Sequence, residues 1–309
     1  MSGVLRIATR RSALAMWQAE HVRDRLTETH PGLEVELVPI VTRGDQFLDR
    51  PLAEIGGKGL FLKELEQAML EGDADLAVNS MKDMPAEMTP GLSLAVSLPR
   101  ANPFDAWLSR TGDTLETLPA GSRVGTSSLR RQCQLAAARP DLQVVSLRGN
   151  VDTRLRKLQD GEYDAIILAC AGLERLGLGQ HITQELGPPT WLPAATQGII
   201  GLECRTGDER TLSLIEPLAD AEATVQAAAE RAVARVLEGS CQVPLAAHAV
   251  VDGDTVRVEA LVGDPAAERV VRAAGNGPAV DAEAVGEAVA RDLLAQGAAD
   301  IIRSLTDAG

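Results

Sequence analysis

Short apolar runs alternate with amphipathic segments through the first third of the chain. Helical spacing of apolar residues begins after Ser12, a residue type suited to the N-cap, and recurs over residues 60–71, which Gly72 ends. Apolar runs that predict buried strands occupy residues 4–8, 33–41, 75–78 and 92–98. The alternation predicts an α/β lobe.

The same alternation resumes after a proline-rich segment at 99–103, which predicts a stiff crossing into a second lobe. The expected strands and helices cover residues 104–109, 123–126, 129–139, 143–147, 151–159, 165–169 and 171–176. Three successive strand–turn–helix units predict a mainly parallel, doubly wound sheet, with arginine at or near the start of each helix. A second crossing at 187–189 precedes a strand at 198–205, which we expect to return to the first lobe.

From residue 220 the chain becomes alanine-rich. A long helix over 221–238 is followed by a hairpin, because Asp-Gly-Asp at 252–254 separates two apolar runs. A third strand and two helices follow, which together predict a small α+β domain with an antiparallel sheet. The expected domains are residues 1–99 with 198–217, residues 104–193, and residues 219–309.

Composition and charge limit the kinds of ligand and partner that the chain is expected to bind. The net charge of −14 argues against a nucleic-acid partner, yet residues 123–175 carry a net +3, and eight of their nine bases are arginine. Arginine binds carboxylate and phosphate groups through two parallel hydrogen bonds, so we expect a small polyanionic ligand. No apolar run approaches the roughly 20 residues of a membrane span, and the N-terminus lacks the apolar core of a signal peptide. We therefore expect a cytoplasmic protein without a membrane partner.

Two short segments carry the candidate chemistry. Lys82 and Asp83 come directly after the strand at 75–78, and ligands bind at the carboxyl ends of strands in open α/β sheets. A solvated surface ion pair is the alternative for these two residues taken alone. Cys241 lies in a loop beside glycine and can serve as an attachment point or nucleophile. The other three cysteines form no Cys-x-x-Cys pair, so we expect no metal site.

Six motifs in order give the chain an end-to-end resemblance to the porphobilinogen deaminase (hydroxymethylbilane synthase) family. They are LRIATR at 5–10, GGKGLF at 56–61, SMKD at 80–83, GTSSLRR at 125–131, LRGN at 147–150 and CQVP at 241–244. The resemblance implies two lobes similar to periplasmic-binding-protein domains, a third domain, and a dipyrromethane cofactor held by a thioether to Cys241. It also implies a monomer that joins four porphobilinogen units head to tail with loss of ammonia and then releases hydroxymethylbilane.

The resemblance also assigns roles to individual residues. Asp83 is the implied catalytic carboxylate, a buried group that stabilises cationic pyrroles and assists proton transfer. The implied ligands of the cofactor's carboxylates are Ser80, Lys82, Thr126, Ser128, Arg130 and Arg131. The implied ligands of the incoming unit are Arg10, Arg148 and Arg154, with Ser12, Gln18 and Arg175 as further candidates and Lys58 on a covering loop. Departures from the family pattern are Asn79, Thr196, Ser240 and Ala246, which bear on local loop geometry.

Two other functions compete with this reading. A two-lobed protein that binds a small anion would explain the arginine-bearing turns but not a third domain with a loop cysteine. A cysteine-dependent acyl or thiol transferase would need a base near Cys241, and His248 lies in an apolar strand where a core histidine is expected.

Overall fold

The computed structural model describes residues 3–42, 44, 62–237 and 243–306. The chain forms two compact units, Met1–Ala101 with Ile199–Thr224 and Asn102–Gly198 with Val225–Gly309. The predicted division into three domains is finer than this, since it separates 219–309 from 104–193, and it stays a prediction.

The first unit begins with an alternation of strands and helices, as the sequence predicted. Its elements up to the first crossing are β1 (Leu5–Arg10), α1 (Ala13–Thr29), β2 (Val35–Ile40), α2 (Lys63–Glu71), β3 (Leu76–Ser80) and β4 (Leu92–Ser97). Ser12 caps α1, since its side chain accepts a hydrogen bond from the backbone N–H of Ala15 at 3.4 Å. Gly72 ends α2 in the left-handed conformation, with φ of 82°.

The second unit repeats this pattern. Its elements are β5 (Asp105–Ser109), β6 (Arg123–Gly125), α3 (Leu129–Ala138), β7 (Gln143–Val145), α4 (Val151–Gln159), β8 (Ala165–Ala169), α5 (Cys170–Arg175) and β9 (Gln184–Leu186). The chain then returns to the first unit through β10 (Ile200–Arg205) and α6 (Glu209–Ile215), which confirms the predicted return strand.

Each unit contains a five-stranded sheet, in the order β2-β1-β3-β10-β4 in the first unit and β7-β6-β8-β5-β9 in the second. β1 runs parallel to both of its neighbours, and so does β6. By contrast, β10 and β5 each run antiparallel to both of their neighbours. The prediction of a mainly parallel sheet in the second unit is therefore wrong, because two of its four strand pairs are antiparallel. A parallel neighbour needs a crossover connection, usually a helix, and β5 and β10 instead begin directly after the chain passes from one unit to the other.

The remaining elements are α7 (Ala221–Val236), β11 (Leu245–Asp252), β12 (Thr255–Gly263), β13 (Val270–Pro278), α8 (Ala282–Ala295) and α9 (Ala298–Thr306). The three strands form an antiparallel sheet in sequence order, and the predicted hairpin at Gly253 joins the first two. Val256, Val258 and Leu293 lie fully buried in the core between this sheet and its helices. This confirms the expected α+β domain.

Among the described residues, no helix combines the length and the apolar character needed to cross a membrane.

Candidate active site

The motif SMKD lies at the carboxyl end of β3, as predicted. Ser80 ends the strand, and Met81–Asp83 form a single turn of 3₁₀ helix. Met81 donates its N–H to the Ile199 carbonyl at 3.0 Å, and Met84 donates to the Met81 carbonyl at 3.0 Å. These bonds fix the turn at the end of the first sheet where β1 and β3 finish.

A 3₁₀ helix has three residues per turn, so Met81 and Met84 share one face of this turn and Lys82 and Asp83 lie on the other. Met81 and Met84 are buried, Lys82 is half-buried and Asp83 is exposed. The sequence reasoning expected a buried carboxylate at Asp83, and that expectation is wrong. The apolar residues of the turn anchor it, and the charged ones are turned outward.

Gly201 makes room for this anchor. It pairs with Asn79 across the sheet, and a Cβ at this position would lie 3.0 Å from the Met84 sulfur and 3.3 Å from the Met81 methyl carbon. The sequence reasoning missed Gly201, because only the pairing of β10 with β3 brings it beneath the turn.

Three other candidates of the first unit lie around the same edge. β1 and β3 are parallel neighbours, so Arg10, at the end of β1, follows the sheet to the edge where Ser80 ends β3. Gln18 of α1 is only 2% exposed and donates from Nε2 to the Ser80 hydroxyl at 2.7 Å. The hydroxyl of Ser12 is used as the N-cap of α1. The first unit therefore brings the predicted serine, glutamine and Lys-Asp pair together.

In the second unit, Ser127 joins two predicted turns. Its hydroxyl oxygen lies 2.9 Å from the Ser146 hydroxyl, accepts from the Leu147 N–H at 3.1 Å and donates to the Leu147 carbonyl at 2.9 Å. Thr126 is buried beside it, and Ser128 is the N-cap residue of α3 without a capping side-chain hydrogen bond. The sequence reasoning missed Ser127 as the residue that holds the turn after β6 against the turn after β7.

The turn after β7 carries Arg148, and α4, which follows the turn, carries Arg154. Both are half-buried, burial lowers the pKa of Arg148, and Arg154 donates from Nε to the Gly149 carbonyl at 2.7 Å. Gly149 has φ of 113°, and a Cβ there would lie 2.8 Å from the Thr153 methyl carbon. Only glycine suits this position, so Gly149 enforces the backbone conformation of the turn over residues 146–150, which we call the arginine turn.

Arg130 and Arg131 are buried at the start of α3, with 5% and 7% exposure. Both bind the carboxylate of Asp105, which is 0% exposed, with guanidinium nitrogens at 2.7 Å. Nη1 of Arg130, which binds Asp105, also donates to the Leu192 carbonyl at 2.8 Å, and Nη1 of Arg131 donates to the Ile167 carbonyl at 2.9 Å. Burial raises the pKa of Asp105, but the two arginines outweigh it and hold that pKa well below its usual range.

Two further side chains complete the shell of Asp105. Trp191 donates from its indole N–H at 2.8 Å, and Gln197 donates from Nε2 at 3.0 Å. Gln197 also donates to the Pro103 carbonyl at 2.7 Å, so it links both segments through which the second unit connects to the first. No local sequence signal marks Asp105, Trp191 or Gln197, because each contact joins residues more than 80 positions apart.

Arg175 differs from the sequence expectation. It ends α5 rather than beginning it, and it donates from Nη2 to the Gly198 carbonyl at 2.7 Å. A cation at this end complements the helix dipole, which explains its position. Burial lowers the pKa of Arg175 to about 10.

Cys241 and Lys58 lie outside the described residues, as does Ser240. The three described cysteines, Cys133, Cys170 and Cys204, are buried free thiols. His248 lies half-buried in β11 with Nδ1 3.7 Å from the carboxylate of Glu230. Thr196 has φ of 62°, so the departure from the family's glycine puts a β-branched residue in the left-handed region.

Comparison with known proteins decides between the competing functions. The family model "Porphobilinogen deaminase, dipyromethane cofactor binding domain" matches residues 5–213, and "Porphobilinogen deaminase, C-terminal domain" matches residues 224–295. The chain belongs to the porphobilinogen deaminase family. It is 56% identical to the porphobilinogen deaminase of Stenotrophomonas maltophilia strain K279a, over 96% of this chain and 98% of that protein. It is 55% identical to the porphobilinogen deaminase of strain R551-3, with the same coverage.

Membership of the porphobilinogen deaminase family establishes the reaction and the cofactor. The chain is a transferase that polymerises porphobilinogen into hydroxymethylbilane in tetrapyrrole biosynthesis, and its cofactor is dipyrromethane. Both predictions are confirmed. The solved methionine binding protein MetQ shows only a distant likeness, with a TM-score of 0.46 and 14% identity over 74% of this chain and 94% of that chain.

The described residues fit a ligand of this kind. Dipyrromethane carries carboxylates, and the cluster of Arg130, Arg131 and Asp105 has a net charge of +1. Arg131 Nε and Arg148 Nε are buried and have no hydrogen-bond partner within the described part of the chain. Buried donors of this type are expected to meet an acceptor. The two turns of the second unit thus offer positive charge and donors of the right chemistry.

Proposed function

We propose that Asp83 is the catalytic carboxylate of the polymerisation and that Cys241 holds the dipyrromethane through a thioether. The observation that carries the first role is the turn over residues 81–84, in which buried Met81 and Met84 anchor an outward-facing Lys-Asp pair at the carboxyl end of β3. The second role rests on the family resemblance of the CQVP motif and on the burial of the three described thiols.

The remaining candidates fall into two groups. Ser80, Lys82, Thr126, Ser128, Arg130 and Arg131 would hold the cofactor's carboxylates. Arg10, Ser12, Gln18, Lys58, Arg148, Arg154 and Arg175 would hold the incoming porphobilinogen. Arginine suits both tasks, because its fork of N–H donors matches a carboxylate bidentately.

In each step of the polymerisation, the protein's own side chains have a defined role. Loss of ammonia from porphobilinogen leaves positive charge on the reacting unit, and the Asp83 carboxylate stabilises that charge. After the new bond forms, the same carboxylate accepts the pyrrole proton directly or through one water. When bound, dipyrromethane supplies the free pyrrole carbon to which the first unit is added. The arginines hold the propionate and acetate groups and so fix the ring that must react.

The test of Asp83 is the Asp83→Asn variant, with Glu87→Gln as the matched control. Both residues are exposed acids of the same segment, so neither change should alter the free energy of unfolding by more than about 0.5 kcal/mol. We expect kcat for hydroxymethylbilane formation to fall by about 10²- to 10⁴-fold in Asp83→Asn and to be unchanged in Glu87→Gln. Equal activity of the two variants would remove Asp83 from the mechanism.

The test of Cys241 is the intact mass of the purified chain. We expect the wild-type chain to carry the added mass of dipyrromethane on the peptide that contains Cys241, and the Cys241→Ser chain to lack it. An added mass on any other peptide would contradict the attachment.

We further propose that the chain works in the cytoplasm as a monomer, with no nucleic-acid or membrane partner. The net charge of −14 supports the absence of a nucleic-acid partner, and three buried thiols suit a reducing compartment. Light scattering at micromolar concentration tests the monomer, since a dimer would double the mass of 32.6 kDa.

A further inference from the structure

Asp105 has a more elaborate environment than a structural ion pair needs. Its fully buried carboxylate accepts five hydrogen bonds, two from Arg130 and one each from Arg131, Trp191 and Gln197, at distances of 2.7 to 3.2 Å. Every carboxylate lone pair is therefore engaged. The shell fixes the carboxylate, and the carboxylate in turn fixes two guanidinium groups.

This arrangement prepares the arginines for an anion. A free arginine side chain loses about 2 kcal/mol of rotamer entropy when it is immobilised, and here the loss occurs on folding rather than on ligand binding. One carboxylate neutralises only one of the two arginines, so the cluster keeps one positive charge. Arg131 also keeps a buried Nε donor without a hydrogen-bond partner among the described residues.

We propose that Asp105 is a positioning residue that orients Arg130 and Arg131 toward the carboxylates of dipyrromethane, and that Gln197 belongs to the same network. This rests on the proposed role of the two arginines in holding the cofactor. Because Gln197 also bonds the Pro103 and Phe104 carbonyls, the backbone of the connecting segments sets one of the five contacts of Asp105.

The chain offers a matched control for a purely structural role. Asp75 is also a buried aspartate held by two arginines: it accepts from the Arg6 backbone N–H at 2.8 Å, from Arg6 Nη2 at 3.1 Å and from Arg205 Nη2 at 3.3 Å. It lies at the amino end of β3, at the opposite end of the strand from Ser80. Loss of its charge should weaken the fold without touching the cofactor.

The experiment compares Asp105→Asn with Asp75→Asn. Each chain is expressed, its urea unfolding midpoint is measured, and the fraction that carries the dipyrromethane mass is determined by intact mass spectrometry. We expect both variants to unfold at lower urea, and only Asp105→Asn to lose at least about tenfold in the loaded fraction of folded protein, as expected when a buried charge loses its partner. Equal loading of the two variants would overturn the proposal.

Gln197 gives a second pair of variants that tests the charge and does not depend on the folding of Asp105→Asn. Gln197→Glu adds a second carboxylate and reduces the net charge of the cluster from +1 to zero, whereas Gln197→Met removes the donor and leaves the charge. We expect Gln197→Glu to lower the loaded fraction several-fold more than Gln197→Met. If the two variants load equally, the charge of the cluster does not act on the cofactor.

A wild-type chain that carries no added mass would contradict the proposed attachment rather than the positioning role. The crystal structure of Asp105→Asn then decides the positioning role. We expect the guanidinium groups of Arg130 and Arg131 to move by about 1 Å or more, a displacement large enough to impair a reaction. Unchanged guanidinium positions would overturn it.

Discussion

Gly149 offers the sharpest test of how the sequence enforces the arginine turn. The perturbation is Gly149→Ala. The new Cβ would lie 2.8 Å from the Thr153 methyl carbon and 2.9 Å from Thr153 Cβ, where ordinary contacts exceed 3.4 Å. Rotation of the threonine side chain cannot relieve the second contact, because Cβ is fixed by the backbone of α4. The start of α4 must therefore shift.

The magnitude follows from a matched glycine. Gly161, just beyond the end of α4, also has positive φ, at 79°, but a Cβ there would meet nothing within 4 Å. Both alanine variants bear a left-handed backbone cost of about 1–2 kcal/mol, and both gain about 0.4–1 kcal/mol from the stiffer unfolded chain. Gly149→Ala alone adds the steric overlap, about 1–3 kcal/mol. We expect it to be less stable than Gly161→Ala by that difference.

The assay is urea unfolding of both variants, followed by steady-state kinetics with porphobilinogen. We expect KM to rise in Gly149→Ala, because Arg148 precedes the glycine and Arg154 donates to its carbonyl, and to be unchanged in Gly161→Ala. Unfolding free energies that agree within about 0.5 kcal/mol would refute the steric argument.

Three further predictions concern other parts of the chain. Burial raises the pKa of Asp75, but hydrogen bonds from Arg6 and Arg205 hold it below the ordinary 3.8, so ionised Asp75 stabilises the fold above about pH 4. The destabilisation by Asp75→Asn should be full at pH 7 and shrink as urea unfolding is repeated below pH 4; a constant difference would contradict this. Burial raises the pKa of the three described thiols to between about 11 and 12, so alkylation at pH 8 should label native protein only at Cys241, in chains without cofactor; peptide mapping checks this, and label at a second cysteine would count against it. Gln18→Met should raise KM for porphobilinogen by about fivefold, the value of one hydrogen bond to Ser80, and an unchanged KM would remove Gln18 from the site.

Local signals in the sequence were reliable wherever a single residue type decides the backbone. Ser12 as a helix cap, Gly72 as a helix end and Gly253 in the hairpin turn were all predicted, because each acts on its own neighbours. The expected strand direction in the second sheet was wrong, since periodicity identifies a strand but not the partner that it will meet. Arg175 was expected near the start of its helix, although the expected bounds, 171–176, differ by one residue from those of α5 and already place it near the end.

The candidate site was predictable only in part. The turns after β3, β6 and β7 and their charged residues follow from apolar runs and their ends. The exposure of Asp83 depends on the three-residue period of its turn. No pattern within SMKD predicts that the turn has this period. Asp105 is invisible from the sequence, because its partners Arg130, Trp191 and Gln197 are brought to it by tertiary structure alone.

The place of β10 in the first sheet has a consequence for synthesis on the ribosome. Among the strands of the described residues, β4 pairs only with β10, and β10 also covers the open edge of β3. Yet 103 positions separate the end of β4 at Ser97 from the start of β10 at Ile200. At about 5–20 residues per second, the nascent chain waits roughly 5 to 20 seconds with both edges uncovered. All strands of the second sheet, Asp105 to Leu186, emerge in that interval. The later-translated sheet can therefore close first, and a nonsense mutation near position 190 would release a fragment whose first sheet exposes two pairing edges to aggregation.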